Sequence, residues 1–203
     1  IFFFNIIMTD RNSTYYRFSQ LGENTVKLDS WLISIIPDNF KVLLIWLAFY
    51  VCQGYYGMSL ALISSWTPMF GMGFSSYLRS NIEGMFGVDL ASNTLMAQTA
   101  QFGWKYGLNW HTAYTWFACD IWWFGVLILM FFIGKLFAKA YFDAYYNQNP
   151  VAVGLFTLLL MMMVFLPANN KVFADSSTFF AFFFYIFALF FSKKEYVNAL
   201  VEG

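Results

Sequence analysis

The chain has 203 residues, of which 60% are hydrophobic and only 11% are charged. A soluble domain carries about 25% charged residues, so too few charges remain here to cover a globular surface with solvated groups. The formal net charge is zero, which gives no electrostatic reason to expect nucleic acid or another polyanion as a partner. The composition therefore predicts an integral membrane protein of the all-α class.

The first segments in chain order are an apolar stub and a polar loop. Residues 1–8 are apolar and show neither a basic segment nor a cleavage site, so we interpret them as the end of a membrane helix and not as a signal peptide. Residues 9–30 carry several charges and predict a loop, and the short apolar patch at residues 31–36 is closed by Pro37. We expect residues 1–203 to form one membrane domain, the C-terminal part of a longer protein.

Four apolar stretches come close to the ~20 residues that a helix needs to cross a bilayer. They are residues 42–63, 112–134, 151–166 and 178–191. The last is short unless it extends to 176–192, and a re-entrant segment is the alternative there. Residues 140–150 predict a polar turn, in which Asn149-Pro150 marks the start of the next helix. The pattern predicts a polytopic transmembrane helix bundle of about four spans after the N-terminal stub.

A long segment of mixed polarity, residues 64–111, separates the first two spans. Within it, residues 75–86 repeat apolar side chains at near-helical spacing, which predicts an amphipathic surface helix that Gly87 ends. Residues 90–102 are compatible with another short helix. Most Lys and Arg residues lie in the cytoplasm if the 9–41 loop does, so the positive-inside rule predicts that residues 64–111 face outward and that the C-terminus is cytoplasmic.

Polar groups that can do chemistry concentrate in and beside this outward loop. Asp120 lies within the second apolar stretch, where a carboxylate usually faces a bundle interior or a watery cavity; the alternative is a buried Asp satisfied by a Tyr, Trp or backbone donor. His111 is the only histidine, and its alternative role is that of an interfacial residue at a helix start. Residues nine apart point to roughly opposite faces of a helix, so a direct His–Asp dyad would require His111 to lie before the helix proper, and we claim none.

Two cations lie on the same loop. Arg79, on the predicted surface helix, suits phosphate or pyrophosphate because its guanidinium presents a fork of donors; the alternative is a surface ion pair with Glu83 one turn later. Lys105 offers a second cation among aromatic neighbours. The sequence contains no Gly-rich phosphate loop, and a single His excludes a multi-His metal site within this fragment, so it predicts neither a metal nor a cofactor.

The order of several short motifs resembles that of a known family. In chain order they are Gln53-Gly54-Tyr55-Tyr56-Gly57, Phe70-Gly71-Met72-Gly73-Phe74-Ser75, Phe102-Gly103-Trp104, Trp110-His111-Thr112-Ala113-Tyr114-Thr115-Trp116, Ala118-Cys119-Asp120, Asn149-Pro150 and Phe165-Leu166-Pro167-Ala168-Asn169-Asn170. This succession, across residues 50–175, resembles the C-terminal half of the O-antigen or oligosaccharide repeat-unit polymerases of the Wzy type. Two positions depart from that pattern: Lys105 stands where an acidic residue often follows Gly-Trp, and Cys119 stands where Ser is usual.

The resemblance implies a multi-pass enzyme of the bacterial inner membrane that joins lipid-linked oligosaccharide repeats on the periplasmic face. It implies a metal-independent glycosyltransferase of surface polysaccharide biosynthesis, with undecaprenyl pyrophosphate-linked substrates, membrane lipid and a chain-length regulator as partners. Asp120 or His111 would assist the attacking hydroxyl. Arg79 and Lys105 would hold pyrophosphate, and the sugar path would be lined by Tyr55, Tyr56, Trp104 and Trp110.

Other functions remain open at the level of sequence. An O-antigen ligase uses the same donor, and an outward His and Arg fit it equally well. A flippase or transporter for lipid-linked sugars would distribute polar groups through several spans, whereas the third and fourth stretches are almost pure hydrocarbon. A purely structural membrane subunit would leave the long outward loop without a role.

Overall fold

The computed structural model describes residues 20–21, 24–25 and 30–191. The predictions for the stub at residues 1–8, for most of the 9–30 loop and for the basic residues after Phe191 lie outside these ranges. Within them the chain is almost entirely helical. The β structure is one antiparallel pair of two-residue strands, β1 (Gln20–Leu21) and β2 (Asn24–Thr25). The predicted all-α class is confirmed for the described residues.

Seven α-helices follow in the described part of the chain. They are α1 (Trp31–Ser34), α2 (Asp38–Leu62), α3 (Ser76–Phe86), α4 (Leu95–Gln98), α5 (Ala113–Tyr145), α6 (Pro150–Phe165) and α7 (Ser176–Phe191). Short 3-10 helices occupy Ala91–Asn93, Thr99–Phe102 and Lys171–Phe173. The predicted second helix of the loop, residues 90–102, is therefore a chain of three short turns.

Two helix ends lie where local sequence signals place them. The Ser75 hydroxyl caps α3 by accepting a hydrogen bond from the Leu78 N–H at 3.1 Å, and Gly87 ends the helix with a φ of 64°. Pro150 opens α6, where the Asn149 side chain accepts from the Val151 N–H at 3.0 Å. The predicted helix within residues 75–86, its end at Gly87 and the predicted start at Asn149-Pro150 are confirmed.

Helix α5 is longer than the sequence predicts. The prediction of a polar turn from residue 140 is wrong up to Tyr145, because the helix continues to that residue. No Gly or Pro interrupts residues 135–145, and Lys139 and Asp143 form an exposed ion pair of 2.6 Å one turn apart. Residues 140–145 carry one charge, and the ion pair adds to their tendency to continue the helix.

A break at Trp122, with φ 56° and ψ 175°, divides α5 into two parts. Residues before the break are nearly all buried among the loops, whereas those after it expose a broad apolar surface. A helix of 33 residues is ~50 Å long, well beyond the ~30 Å of a hydrocarbon core. The exposed apolar part after Trp122 is the part that fits a bilayer, and Asp120 lies two residues before this break.

In the part of the chain that the structure describes, α5 alone is long and apolar enough to cross a membrane. Only 11% of its most apolar stretch is buried inside the protein, so it does not serve as an internal core helix. Helices α6 and α7 have 16 residues each, which gives ~24 Å. One membrane-capable helix is therefore established, and the bundle of four spans stays a prediction.

The loops that contain residues 63–75, 87–112 and 166–175 pack onto the helices at one end of the described part of the chain. Helix α6 packs against α5 and α7, and α4 contacts both α2 and α5. A Cβ at Gly54 would overlap the Pro167 carbonyl, and one at Gly57 would lie 2.6 Å from the Trp110 carbonyl oxygen. Only glycine permits these approaches, which bring the 104–111 and 166–170 segments together against α2.

Candidate functional site

A cavity of about 310 Å³ opens where these outer loops meet. Its wall mixes polar and aromatic side chains from three separate parts of the chain, among them Ser76, Tyr106, Asn109, Trp110, His111, Trp116 and Asn169. Ligand pockets span roughly 300–1,000 Å³. This cavity is at the small end of that range, so it suits one sugar ring better than an oligosaccharide.

Arg79 lies behind the aromatic wall of this cavity. Its side chain is only 2% exposed, and its guanidinium carbon lies 5.7 Å from the Tyr106 ring centroid and 5.5 Å from that of Trp116. Nη2 donates to the Tyr106 hydroxyl, whereas Nε and Nη1 have no hydrogen-bond partner. Each buried donor left unsatisfied costs about 1–3 kcal/mol, and buried polar atoms without partners are rare in folded proteins. Nε and Nη1 therefore keep donor capacity for a ligand or a water molecule.

The alternative of an Arg79–Glu83 surface pair is wrong. Glu83 Oε1 instead accepts from the backbone N–H groups of Leu90 and Ala91, at 2.9 and 2.6 Å. These two hydrogen bonds hold the segment after α3 against the end of that helix. Within the described residues no carboxylate forms an ion pair with Arg79.

His111 is buried and electrically neutral at pH 7. Its side chain is 3% exposed, and Nε2 lies 3.0 Å from the Thr99 hydroxyl. Burial lowers the pKa of His111 to about 4, against the smaller opposing effect of a hydrogen bond to the Asn109 backbone. It precedes α5, which begins at Ala113, so its ring belongs to the cavity wall and not to the helix.

We expect protein stability to fall below about pH 6 because of His111. Its pKa is about 4 in the folded chain against an ordinary value of 6.5, so the unfolded chain binds more protons between these values. The stabilisation is complete above pH 6.5 and is lost as the pH falls through 4, to an extent of about 3 kcal/mol. Thermal unfolding of wild type and His111→Gln from pH 4 to 7 checks this: the glutamine variant should lose less stability on acidification. Parallel curves for the two proteins would contradict it.

The Asp120 carboxylate accepts hydrogen bonds from the backbone of one turn, residues 71–74. Oδ1 accepts from the N–H groups of Gly71 at 2.7 Å and Gly73 at 3.0 Å, and Oδ2 accepts from the Phe74 N–H at 2.7 Å. This is the alternative that the sequence left open, a buried Asp satisfied by backbone donors. The turn leads directly into Ser75, which caps α3, so Asp120 fixes the start of the helix that carries Arg79.

The same loop also donates hydrogen bonds to the carbonyl groups next to the break in α5. Trp66 Nε1 donates to the Ala118 carbonyl at 2.8 Å, and the Met69 N–H donates to the Cys119 carbonyl at 3.2 Å. Carbonyls near a break in a helix need such partners. Asp120 therefore contacts the 71–74 turn while His111 contacts Thr99, and the structure contains no direct dyad between them.

The remaining candidates divide between the cavity and its surroundings. Trp110 lines the cavity, whereas Trp104 is buried behind it, with Nε1 donating to the Trp110 carbonyl at 3.2 Å. The Tyr56 ring packs against Trp104 with centroids 5.0 Å apart. Lys105 and Tyr55 are exposed and do not line the cavity. Of the predicted sugar-path residues, the structure places only Trp110 at the cavity.

Comparisons with known proteins add no relative to this picture. The chain matches no protein-family model, no curated protein and no solved structure. Its function is therefore argued from its own residues. Among those that the structure describes, no group of three or more His, Cys, Asp or Glu side chains is placed to hold a metal ion.

Sequence reasoning missed Tyr106, Trp116, Asn109 and Asn169 as parts of the site. Trp116 and Asn169 lie within motifs that carry the resemblance, Asn109 directly precedes the Trp110–Trp116 segment, and Tyr106 lies two residues after Gly103-Trp104. That proximity was the available signal. It did not show that Asn169 joins the other three, because Asn169 lies 53 residues after Trp116.

Proposed function

We propose that the chain is part of a membrane glycan polymerase of the Wzy type, which joins lipid-linked oligosaccharide repeats on the outer face of a bacterial inner membrane. The observation that carries the proposal is the buried Arg79 guanidinium, which has two nitrogens without partners beside an aromatic cavity. A guanidinium binds phosphate oxygens through paired charge-assisted hydrogen bonds. Aromatic faces such as those of Trp110 and Trp116 suit sugar rings.

The reaction is a glycosyl transfer with a pyrophosphate leaving group. A hydroxyl oxygen of the incoming repeat forms a bond to the anomeric carbon of the growing glycan. The bond from that carbon to the undecaprenyl pyrophosphate oxygen breaks, and its electron pair leaves with the pyrophosphate. The hydroxyl proton passes to a base, and a cation stabilises the charge that develops on the leaving group.

Arg79 supplies that cation in this proposal. The pyrophosphate would take the Arg79 Nη2 hydrogen bond from the Tyr106 hydroxyl. In this proposal the Tyr106 side chain turns away from Arg79 and exposes the guanidinium to the ligand. The backbone of the segment keeps its place, because the Lys105 N–H donates to Asn109 Oδ1 at 3.0 Å and the Asn109 N–H donates to the Lys105 carbonyl at 2.9 Å.

The proton acceptor is predicted to be either Asp120 or His111. Each has an intramolecular partner in the unliganded chain, three N–H groups for Asp120 and the Thr99 hydroxyl for His111. We therefore propose Asp120 as the residue that positions α3. His111, neutral at pH 7 and on the cavity wall, is the better placed of the two to take a proton.

A second, apolar cavity supports a lipid-linked substrate. It measures about 450 Å³ and is lined by Met58 of α2 and by α5 residues from Tyr114 to Met130. Tyr114 lines this cavity and Trp116 lines the first one, so both cavities begin at the same level of α5. The apolar cavity then continues past the break at Trp122 as far as Met130. With the pyrophosphate at Arg79, the lipid tail would extend along the apolar cavity of α5 toward the bilayer centre. The bundle in this proposal has a cytoplasmic C-terminus.

The test is the surface-polysaccharide banding pattern of a strain that lacks the full-length gene. We expect a single-repeat band without the gene, a full ladder with wild type, and no ladder with Arg79→Met, while Lys139→Met restores the ladder. A normal ladder in the deletion strain would overturn the proposal. A product of one capped length in place of the ladder would identify a ligase instead.

A further inference from the structure

We propose that the cavity beside Arg79 is a subsite for one monosaccharide that bears an acyl oxygen, and that Asn109 and Asn169 recognise this oxygen. The acyl oxygen is either the carbonyl of an N-acetyl group or the carboxylate of a uronic acid. The inference rests on the proposed function, since it names the sugar that lies next to the pyrophosphate.

The two asparagines present amide donors that nothing else uses. Asn109 Oδ1 accepts from the Lys105 N–H at 3.0 Å, and Asn169 Oδ1 accepts from the Asn170 N–H at 2.7 Å. A backbone N–H can only donate, so each amide oxygen is fixed and each Nδ2 points the other way. Both side chains line the cavity, and among the described residues neither Nδ2 has a hydrogen-bond partner.

The rest of the wall favours the same ligand chemistry. No Asp or Glu lines the cavity, and His111 is neutral above its pKa of about 4. Tyr106 and Trp116 stand between the cavity and the Arg79 charge. A wall rich in donors and free of negative charge binds an oxygen that accepts hydrogen bonds better than a hydroxyl that must also donate.

Both amides are held in place before a ligand arrives. The Asn169 N–H donates to the Phe165 carbonyl at 2.8 Å, and the neighbouring Asn170 Nδ2 donates to the Phe74 carbonyl at 2.7 Å. The Asn109 N–H donates to the Lys105 carbonyl at 2.9 Å. Preorganised donors lose little entropy on binding and therefore discriminate well.

The test measures selectivity among sugar phosphates with the full-length protein in lipid nanodiscs. Glucose 1-phosphate, N-acetylglucosamine 1-phosphate, glucuronic acid 1-phosphate and inorganic pyrophosphate are titrated calorimetrically. We expect one or both acyl-bearing sugars to bind about tenfold more tightly than glucose 1-phosphate, the size of one additional hydrogen bond. The two acyl-bearing probes distinguish an N-acetyl sugar from a uronic acid.

Asn169→Asp and Asn109→Asp are the decisive variants. Aspartate keeps the shape and the acceptor for the backbone N–H, so the fold should be retained, but it lacks the free donor. The added charge weakens binding of glucose 1-phosphate and N-acetylglucosamine 1-phosphate alike, so for an N-acetyl ligand the readout is the ratio of these two affinities, which should fall to about one. The carboxylate of glucuronic acid 1-phosphate is itself repelled by an aspartate, so for a uronic acid the same ratio is measured with the neutral variants Asn169→Leu and Asn109→Leu.

Three outcomes overturn parts of the argument separately. Equal affinity of wild type for all three sugar phosphates, or no binding of any, overturns the subsite. An unchanged ratio in both aspartate variants removes the role of the asparagines. An unchanged pyrophosphate affinity in Arg79→Met would overturn the proposed function itself. Pyrophosphate binding that depends on Arg79 but shows no sugar selectivity would overturn only the subsite and would leave the proposed function intact.

Discussion

Arg79→Met is expected to weaken pyrophosphate binding severely while leaving the free energy of unfolding within about 1 kcal/mol of wild type, or above it. The guanidinium is 2% exposed and has two nitrogens without partners. Two charge-assisted hydrogen bonds to a phosphate are worth about 3–6 kcal/mol together, so the affinity should fall by about 10²–10⁴. Polymer formation should be lost with it.

The stability half of this prediction separates a binding residue from a structural one. Replacing a buried charge by an apolar side chain of similar volume is often neutral or stabilising by about 1–4 kcal/mol. The substitution also removes the hydrogen bond to the Tyr106 hydroxyl and the cation–π contact with Trp116, and each loss destabilises the protein by about 1 kcal/mol. We therefore expect a free energy of unfolding within about 1 kcal/mol of wild type, or above it.

Calorimetric titration of pyrophosphate and thermal unfolding followed by tryptophan fluorescence measure the two effects. Lys139→Met is the matched control, since it also removes one positive charge, from an exposed ion pair with Asp143. Such pairs contribute about 0–1 kcal/mol, and this one lies in the C-terminal part of α5. A large loss of stability in Arg79→Met would show that the guanidinium holds the fold together and would count against a ligand site.

The parts of the fold that the sequence predicts well are those with local causes. Ser75 and Gly87 bound α3 because a hydroxyl cap and a left-handed glycine act within one turn of the helix end. Asn149-Pro150 opens α6 for the same reason. The end of α5 was misplaced because the polar residues of the predicted turn, Asn147, Gln148 and Asn149, all follow Tyr145. Residues 140–145 carry a single charge, on Asp143, which pairs with Lys139 within the helix.

The site was predictable only one residue at a time. Arg79 was singled out for its chemistry, but its isolation from Glu83 depends on Leu90 and Ala91 N–H groups that take the carboxylate. Its burial depends on Tyr106 and Trp116, which lie 27 and 37 positions further along the chain. Contacts of this range depend on how the loops fold over α5, and no local pattern reports them.

Asp120→Asn is expected to reduce activity by loosening the 71–74 turn and not by removing a proton acceptor. The carboxylate accepts three backbone hydrogen bonds, two at Oδ1 and one at Oδ2. An amide turns one of these oxygens into a donor. If its oxygen keeps Gly71 and Gly73, its NH₂ group faces the Phe74 N–H, and the reverse orientation is worse.

The expected cost is about 2–4 kcal/mol, because a hydrogen bond to a charged group is lost and an N–H is left without an acceptor. That lowers the melting temperature by roughly 5–10 °C in a chain of this size. Asp89→Asn is the matched control. Asp89 is exposed and its Oδ1 accepts from the Ser92 N–H at 3.1 Å, a bond that an amide oxygen also makes, so its stability should change by less than about 0.5 kcal/mol.

Stability and binding measured on the same samples decide the role of Asp120. Because the turn leads through Ser75 into α3, its loosening should displace Arg79 and weaken pyrophosphate binding together with polymer formation. A proton acceptor behaves differently: its loss would stop polymer formation while the melting temperature and the pyrophosphate affinity stay at wild-type values. That second pattern would identify Asp120 as the proton acceptor of the reaction. It would also mean that contacts other than the three hydrogen bonds to Asp120 hold the 71–74 turn in place.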